Sequence, residues 1–469
     1  MEEKLTSNQK EAIEYIKTPL LIIAGAGSGK TKVLANKAAY LMNEKDYDPS
    51  EILLTTFTIK ASEEIRKRVE SLSKKDLSAM FIGTVHSLCE RIIKEKGSKE
   101  VYTGFEVLDD FKRYLFIKRN LNNLGINIRD LKNLKRVRED NEIISLLQDF
   151  FDNITENLID PNKLKKNILD STSAHVESIV LYNQEKDKEI EPEKIKEITS
   201  SLIDSYSKYQ NLLDKNKYID FAHLELFAYK IISKNPEILK QLHNQYKYVM
   251  VDEFQDINPL QWKIISLIAS EGNISCVGDR NQSIYGFRGA NPNIFNNFNK
   301  FYPNAKNIKL EENFRSRKEI VEISNHFLKN RGRTSLELKD TRKEHFDVYF
   351  MSSENETESA NSILSLVKNL KDKKVIKRYG DVAVLFRGMK SSGKAFIKQL
   401  DNQFQDIPYS VFGGINFLEN EDIRAMLFLL SYVYRLGENK DTNELTLFSK
   451  IEEISKTNLM KNQNMGEVV

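Results

Sequence analysis

An apolar run, PLLIIAGA at residues 19–26, passes directly into AGAGSGKT at residues 24–31 and then into the amphipathic stretch Lys32–Met42. This reads as strand, tight loop, helix, and no other feature constrains the fold as much. A strand that is apolar on both sides and feeds a helix belongs in a parallel sheet covered on both faces. Gly25, Gly27 and Gly29 let the backbone turn its N–H groups inward toward phosphate oxygens, and the helix N-terminus adds its dipole. Ala24, Ala26 and Ser28 complete the loop. Lys30 is placed to reach β- and γ-phosphates, and Thr31 to hold Mg²⁺. The general form of such a loop has Gly six positions before the Lys, where this chain has Ala24. The strand, loop and helix setting outweighs that difference.

The rhythm repeats. Glu51–Thr56 and Phe81–Thr84 read as short buried strands, with a charged helix at Ala61–Leu72 between them. From about Phe105 to Tyr218 the texture becomes Lys-, Asn- and Glu-rich with helical periodicity and almost no strand signal, which predicts a helical insertion. Alternation resumes at Tyr246–Asp252, Ile274–Asp279 and Ile308–Leu310, completing one parallel sheet. A further α/β segment begins near Arg315. Its strand candidates are Asp347–Met351 and Asp381–Phe386, and its helix candidates Thr357–Leu370, Lys394–Gln403 and Glu421–Tyr434.

In YVMVDEFQD, residues 248–256, two adjacent carboxylates end an apolar strand. Beside a phosphate loop, Asp252 is expected as the metal-side ligand. Glu253 is expected as the general base that polarises the attacking water. Taken alone the pair reads as the acidic start of the helix near Asn258; the phosphate loop decides for the site. Spacing assigns no role to Gln255 or Asp256.

Composition narrows the class. The chain has 19 Gly and 9 Pro among 469 residues, about 4% and 2% against the usual ~7% and ~5%, which favours long helices. Its net charge of +3 does not by itself announce nucleic acid, so any such reading must rest on local residues. Cys89 and Cys276 form no paired-spacing motif, which argues against a disulfide framework or a zinc site. No basic segment leads into an apolar one at the start, and no apolar run approaches the ~20 residues that span a bilayer. The expectation is a cytoplasmic protein without a membrane partner.

Taken together the motifs resemble superfamily 1 DNA helicases of the UvrD, Rep and PcrA group, in order from Leu5 to about Ile423. LTSNQKEAI (5–13) is similar to the Q motif, AGAGSGKT to motif I with Ala24 included, and TTFTIKASEEIRKRV (55–69) to motif Ia. GTVHSLCERII (83–93) is similar to the block that follows, VDEFQDIN (251–258) to motif II, VGDRNQSIYGFRGA (277–290) to motif III, and LEENFRSRKEI (310–320) to motif IV. DVAVLFRG and GGINFLENEDI (381–388, 413–423) are similar to the start of the family's second domain. The fold implied is α/β: a RecA-like P-loop NTPase sheet with a helical insertion, followed by part of a second RecA-like domain. The implied segments are 1–104 and 218–313 for the first domain, 105–217 for the insertion, 314–436 for the second domain, and 437–469 for a polar tail or further insertion.

The resemblance implies an ATP-dependent helicase or translocase on single-stranded or partly duplex DNA, 3′ to 5′, in repair or phage defence. It implies that Gln9 reads adenine, Phe314 stacks on it, Gln282 senses the γ-phosphate and Arg315 contacts it. Phe57, Thr58, His86, Tyr285 and Phe287 fall on the family's single-strand path, where aromatic faces stack on any base. Arg288 would tie the nucleotide side to the DNA side. The Lys clusters KNLKRVRED and PNKLKK in the insertion are candidates for duplex phosphates, although Lys mixed with Glu and Asp is usually a solvated helix face.

Ile59 stands where the family usually has Asn, and Phe287 where it usually has Trp. The family's motifs V and VI, the latter with its arginine finger, are not found after Glu421. That absence supplies the alternative to a working motor: an incomplete helicase, which binds ATP and turns it over poorly alone, and works with a complementing chain or a partner nuclease. A small-molecule kinase is disfavoured by motif III and the aromatic path residues.

Overall fold

The structure, a computed structural model, describes residues 5–97, 104–135, 140–170, 192–269, 272–284, 286, 289–332, 336–342, 347–389 and 393–411. It divides into two compact units, Met1–Asp347 and Val348–Val469.

The first unit is built on β1 (Leu20–Ala24), β2 (Ile52–Thr56), β3 (Phe81–Thr84), β6 (Tyr248–Val251), β7 (Ile274–Gly278) and β8 (Lys306–Leu310). They form one six-stranded sheet in the order β3-β2-β6-β7-β1-β8, with every ladder parallel. All six strands lie where the apolar runs place them. Successive residues of a strand face opposite sides. Leu20 and Ile22 of β1, with Tyr248 and Met250 of β6, pack against helices α2 (Lys30–Glu44) and α3 (Ile59–Leu72). Leu21, Val249 and Val251 pack on the other face with α4 (Val85–Lys96) and the helices Phe221–Lys234 and Pro259–Ile268. Burial on both faces is why these strands read as continuous apolar runs rather than alternating ones. The order places the carboxyl ends of β6, β7 and β1 side by side, where ligands bind in open α/β sheets.

Lys37 of α2 is fully buried. Its ammonium donates to the carbonyls of Ala12, Ile13 and Tyr15 at 3.0, 3.4 and 2.5 Å, at the end of the helix Ser7–Glu14 (α1). It thereby satisfies carbonyls that a helix C-terminus leaves without partners, while burial pulls its pKa down to about 7.

The insertion is helical, as its periodicity predicts, with helices at Asp110–Leu124, Ile128–Lys135, Asp140–Glu156, Pro161–Leu169 and Pro192–Asn216. Its ends are joined by a two-stranded parallel ladder that the sequence does not announce: β4 (Glu106–Leu108) pairs with β5 (Tyr218–Asp220). The insertion has its own core around Phe116, Phe151 and Tyr209. At its base lies a buried polar network. The Arg113 guanidinium reaches Asp152 at 2.7 Å, Tyr209 Oη at 3.0 Å and Asp220 at 3.2 Å. Tyr209 Oη donates to Asp220 at 2.7 Å, and His223 Nδ1 lies 2.8 Å from the other Asp220 oxygen. Much of KNLKRVRED lies outside the described residues. In PNKLKK, Lys165 pairs with Asp204 at 2.7 Å, as a solvated helix face does.

Beyond β8, a short parallel ladder between β9 (Glu312–Asn313) and β10 (Lys339–Asp340) and the helix Lys318–Asn330 stay with the first unit. In the second unit the helices Glu356–Asp372 and Lys394–Gln403 match expectation and share a small core of Ala360, Leu364, Phe396, Leu400 and Ile407. The strands expected at Asp347–Met351 and Asp381–Phe386 are not strands. A strand is held by a neighbour's ladder; neither run has one among the described residues, and Phe350 and Leu385 are each 91% exposed. The helix expected at Glu421–Tyr434 lies outside the described residues, as does the rest of the chain beyond it.

Candidate active site

The glycine-rich loop leaves β1 after Ala24, the last strand residue, which is fully buried and pairs with Leu310 of β8. Strand burial therefore occupies the place of the missing Gly. Gly27 and Gly29 have φ of 70° and 84°, a left-handed conformation that costs other residues roughly 1–2 kcal/mol. Ser28 closes the turn by donating from Oγ to the Gly25 carbonyl at 2.8 Å. Gly29 is the N-cap of α2, so Lys30 and Thr31 open that helix.

Two side chains fasten the loop. Gln9, 2% exposed, donates from Nε2 to the Ser28 carbonyl at 3.0 Å and accepts from the Thr6 backbone N–H at 3.1 Å. Both ends of the amide expected to read adenine are thus committed within the protein. Asn313 donates to the Ala26 carbonyl at 2.7 Å and accepts the backbone N–H groups of Arg315 and Ser316 at 2.9 and 2.7 Å. The Phe314 N–H donates to the Gly27 carbonyl at 3.0 Å. Phe314 and Arg315 are consequently exposed beside the loop, and a Cβ on Gly27 would sit 2.7 Å from Arg315 Cβ. Asn313 was not singled out from sequence. Its signal was local: Asn two residues before Arg315 is the pattern of a side chain that accepts its own backbone two residues on.

The second wall is the end of β6. Asp252 is 6% exposed and accepts from the Glu253 N–H at 3.0 Å. Glu253 has φ 47° and ψ 47°, a left-handed conformation that non-glycine residues adopt at a cost of roughly 1–3 kcal/mol, typically at functional sites. Its carboxylate accepts Lys30 Nζ at 2.8 Å and Gln255 Nε2 at 2.8 Å, both on Oε2. Gln255, 1% exposed, also donates to Asp256 at 3.1 Å and accepts the Asp279 backbone N–H at 2.9 Å. Gln282 Nε2 donates to the Asp279 carboxylate at 2.7 Å. The ends of β1, β6 and β7 are thereby connected through side chains.

The electrostatics are those of a crowded acidic pocket. Burial first, then the neighbouring Glu253 charge, pushes Asp252 up to about 7 against the opposing pull of Lys30. The same two causes push Asp256 up to about 6. A cation arriving between these groups would favour their ionised forms and offset the burial and like-charge repulsion that raise them.

Toward the DNA-path candidates, Thr58 caps α3 by accepting the Ala61 N–H at 3.1 Å. Phe57, half-buried, directly precedes it at the end of β2. His86, in the first turn of α4, keeps 42% of its side chain exposed. Its Nε2 lies 3.1 Å from Glu225, and its ring meets Phe221 edge-on at 5.1 Å. Glu225 is 1% exposed and also accepts from Asn258 and Gln261 at 3.1 and 2.7 Å, so His86 is tied to the segment after the two carboxylates. Ile59 is 68% exposed at the start of α3. Tyr285, Phe287 and Arg288 lie outside the described residues.

Comparison with known proteins agrees with this geometry. Residues 5–303 match the model of the UvrD/REP helicase N-terminal domain, and residues 308–464 that of the UvrD-like helicase C-terminal domain. The second match runs on past Glu421, through the region from which motifs V and VI are expected to be missing. A probable DNA helicase II homolog of Mycoplasma capricolum is 32% identical over 99% of this chain and 59% of its own length. The ATP-dependent DNA helicase PcrA of Staphylococcus aureus is 30% identical over 93% of this chain and 54% of its own. That of Staphylococcus epidermidis is 30% identical over 94% and 54%. The chain spans little more than half the length of these curated relatives.

Proposed function

The chain belongs to the UvrD/REP helicase family, and from that premise we propose that it hydrolyses ATP to move along or unwind DNA. The observation that carries the reading is the meeting of Lys30 beyond β1 with Asp252 and Glu253 beyond β6, across the end of the intervening β7, with Lys30 Nζ 2.8 Å from Glu253 Oε2.

In this reading the loop N–H groups and the α2 dipole receive the phosphates, and Lys30 exchanges Glu253 for the β- and γ-phosphate oxygens. Glu253, released from that ion pair, takes the proton of the attacking water. Thr31 and Asp252 are the residues that would hold Mg²⁺, which when bound would neutralise charge developing on the phosphates. Among the described residues no three His, Cys, Asp or Glu side chains gather to hold a metal. Arg315 and Gln282 are assigned to the γ-phosphate, and Phe314 to the base. Gln9 acts on the nucleotide through the loop it holds as well as through any contact with adenine.

Phe57, Thr58 and His86 are assigned to the single strand, continued by Tyr285 and Phe287. Polarity of 3′ to 5′ rests on family resemblance. No helix among the described residues is long and apolar enough to cross a membrane.

The test is steady-state ATP hydrolysis with and without a poly-dT oligonucleotide, alongside Lys30→Ala, followed by strand displacement on duplexes with a 3′ or a 5′ tail. Stimulation by the oligonucleotide that is lost in the variant, with displacement from the 3′ tail alone, supports the reading. Turnover in Lys30→Ala equal to the parent overturns the site, and displacement from the 5′ tail overturns the polarity.

A further inference from the structure

We propose that Gln255 is a positioning residue for the hydrolytic step: it holds the Glu253 carboxylate in place by tying it to the backbone at the end of β7. The inference rests on the assignment of Glu253 as general base and deepens it.

The orientation of the Gln255 amide is decided by its surroundings. One end faces Glu253 Oε2 at 2.8 Å and Asp256 Oδ2 at 3.1 Å. Ionised carboxylate oxygens only accept, so that end must be the NH₂ group. The other end faces the Asp279 N–H at 2.9 Å and must be the carbonyl oxygen. The side chain is 1% exposed, so it is held by these partners rather than by solvent. Its own backbone carbonyl accepts Ser283 Oγ at 3.2 Å, fastening the same segment from the far side of Asp279.

The space is equally specific. A Cβ on Gly278 would lie 2.3 Å from Gln255 Oε1 and 3.2 Å from its backbone N. The β7 end must therefore be glycine for the amide to lie across it. The connection continues: Asp279, whose N–H Gln255 holds, accepts Gln282 Nε2 at 2.7 Å. A single amide thus joins the carboxylate assigned to water activation with the strand end that carries the residue assigned to the γ-phosphate.

A base must stand within hydrogen-bond reach of its water, and small misplacement of such a group costs heavily in rate. When Lys30 turns to phosphate, Gln255 is the remaining described side chain that fixes Glu253 Oε2. Gln255 is buried, and both ends of its amide are taken by Glu253, Asp256 and the Asp279 N–H. Its loss is therefore expected to appear in turnover and not in nucleotide affinity.

The experiment is a double-mutant cycle on ATP hydrolysis by the full chain with saturating poly-dT, using Gln255→Met, Glu253→Gln and both together, with Lys30→Ala as control. Gln255→Met keeps length and removes every hydrogen bond of the amide. It is expected to lower kcat by about 10- to 100-fold, within the range of acid–base effects, while KM for ATP and the affinity for a fluorescent ADP analogue stay within about twofold. Single-turnover rates of the double variant are expected to match Glu253→Gln alone within about twofold, because a residue acting through another has nothing left to act on. Additive losses, a matching loss of nucleotide affinity, or unchanged kcat in Gln255→Met overturns the proposal. Should Gln255→Met not fold, Gln255→Glu keeps the shape, replaces the donor by an acceptor, and is read by the same three criteria. Loss of turnover in Lys30→Ala together with unchanged turnover in Gln255→Met sinks only this proposal; unchanged turnover in Lys30→Ala sinks the reading on which it rests.

Discussion

Lys30 Nζ and Glu253 Oε2 form an ion pair at 2.8 Å between residues 223 positions apart in the chain. The lysine of the phosphate loop and the carboxylate assigned to water activation balance each other, so a change in one alters the electrostatic setting of the other.

Removing the lysine separates its two roles. The pair is partly exposed, with side-chain exposures of 11% and 33%, and such pairs contribute about 0–1 kcal/mol to stability. Lys30→Ala should therefore melt within a few degrees of the parent. Preorganised charges aimed at a transition state are each worth roughly 10²–10³ in rate. Steady-state ATP hydrolysis should fall by at least about 100-fold, and a fluorescent ATP analogue should bind more weakly. A folded variant with parental turnover would refute the phosphate-loop assignment.

Glu253→Gln keeps the shape of the side chain and removes its basicity. Nucleotide binding should persist, measured by equilibrium fluorescence, while turnover falls by about 10²–10⁴. Normal hydrolysis would move the general base elsewhere.

Glu156 makes a pH prediction. Burial first, and then the charges of Glu225, Asp152 and Asp220, push its carboxyl from 4.5 up to about 9. Its Oε2 has no hydrogen-bond partner and lies 1.7 Å from where a Cβ on Gly289 would be. A raised carboxyl pKa means that the folded state holds the proton more tightly than the unfolded state. Its contribution is thus fully present below about 4.5 and is lost as pH rises toward about 9, with a slope of up to about 1.4 kcal/mol per pH unit. Glu156→Gln, which cannot ionise, should flatten thermal stability against pH across that window. An unchanged slope would show that Glu156 ionises freely in the folded chain.

Arg113 anchors the insertion. It faces Asp220 and Asp152 from within the protein, and against the opposing effect of burial its charge, followed by the charge and hydrogen bonds of His223, holds the fully buried Asp220 well below the usual carboxylate range. Arg113→Met leaves those acids without their cation, a loss of about 3–5 kcal/mol for a buried pair broken on one side. Amide hydrogen exchange should show protection falling in Asp110–Leu124 and Pro192–Asn216 while β1 and β7 keep theirs. Equal loss in the central sheet would mean that the insertion and the sheet unfold as one.

Much of the architecture could be read from the chain in order. β1, β6 and β7 are buried on both faces and so appear as uninterrupted apolar runs, and AGAGSGKT and VMVDE sit at the ends of such runs, which places them at the rim of a parallel sheet. The two expected strands of the second unit were read from similar runs without such punctuation, and apolar content alone does not supply the neighbouring strand that a ladder needs. β4 was missed for the converse reason: three residues, two of them exposed, carry too little pattern, and their partner β5 lies beyond the whole insertion.

The sequence by itself determined the sheet, the phosphate loop and the identity of the charged residues, because these depend on neighbours within a few positions: a run of apolar residues, a left-handed glycine, a carboxylate at a strand end. Tertiary structure alone decided what those residues touch. That Gln255 lies between Glu253 and Asp279, that Asn313 and Gln9 fasten the loop, that Lys37 caps α1, and that Glu225 holds His86 follow from strand order and helix packing. Those bring together groups from distant parts of the chain, and a buried polar group takes whatever partner the fold sets beside it, because leaving it unpaired costs about 1–3 kcal/mol.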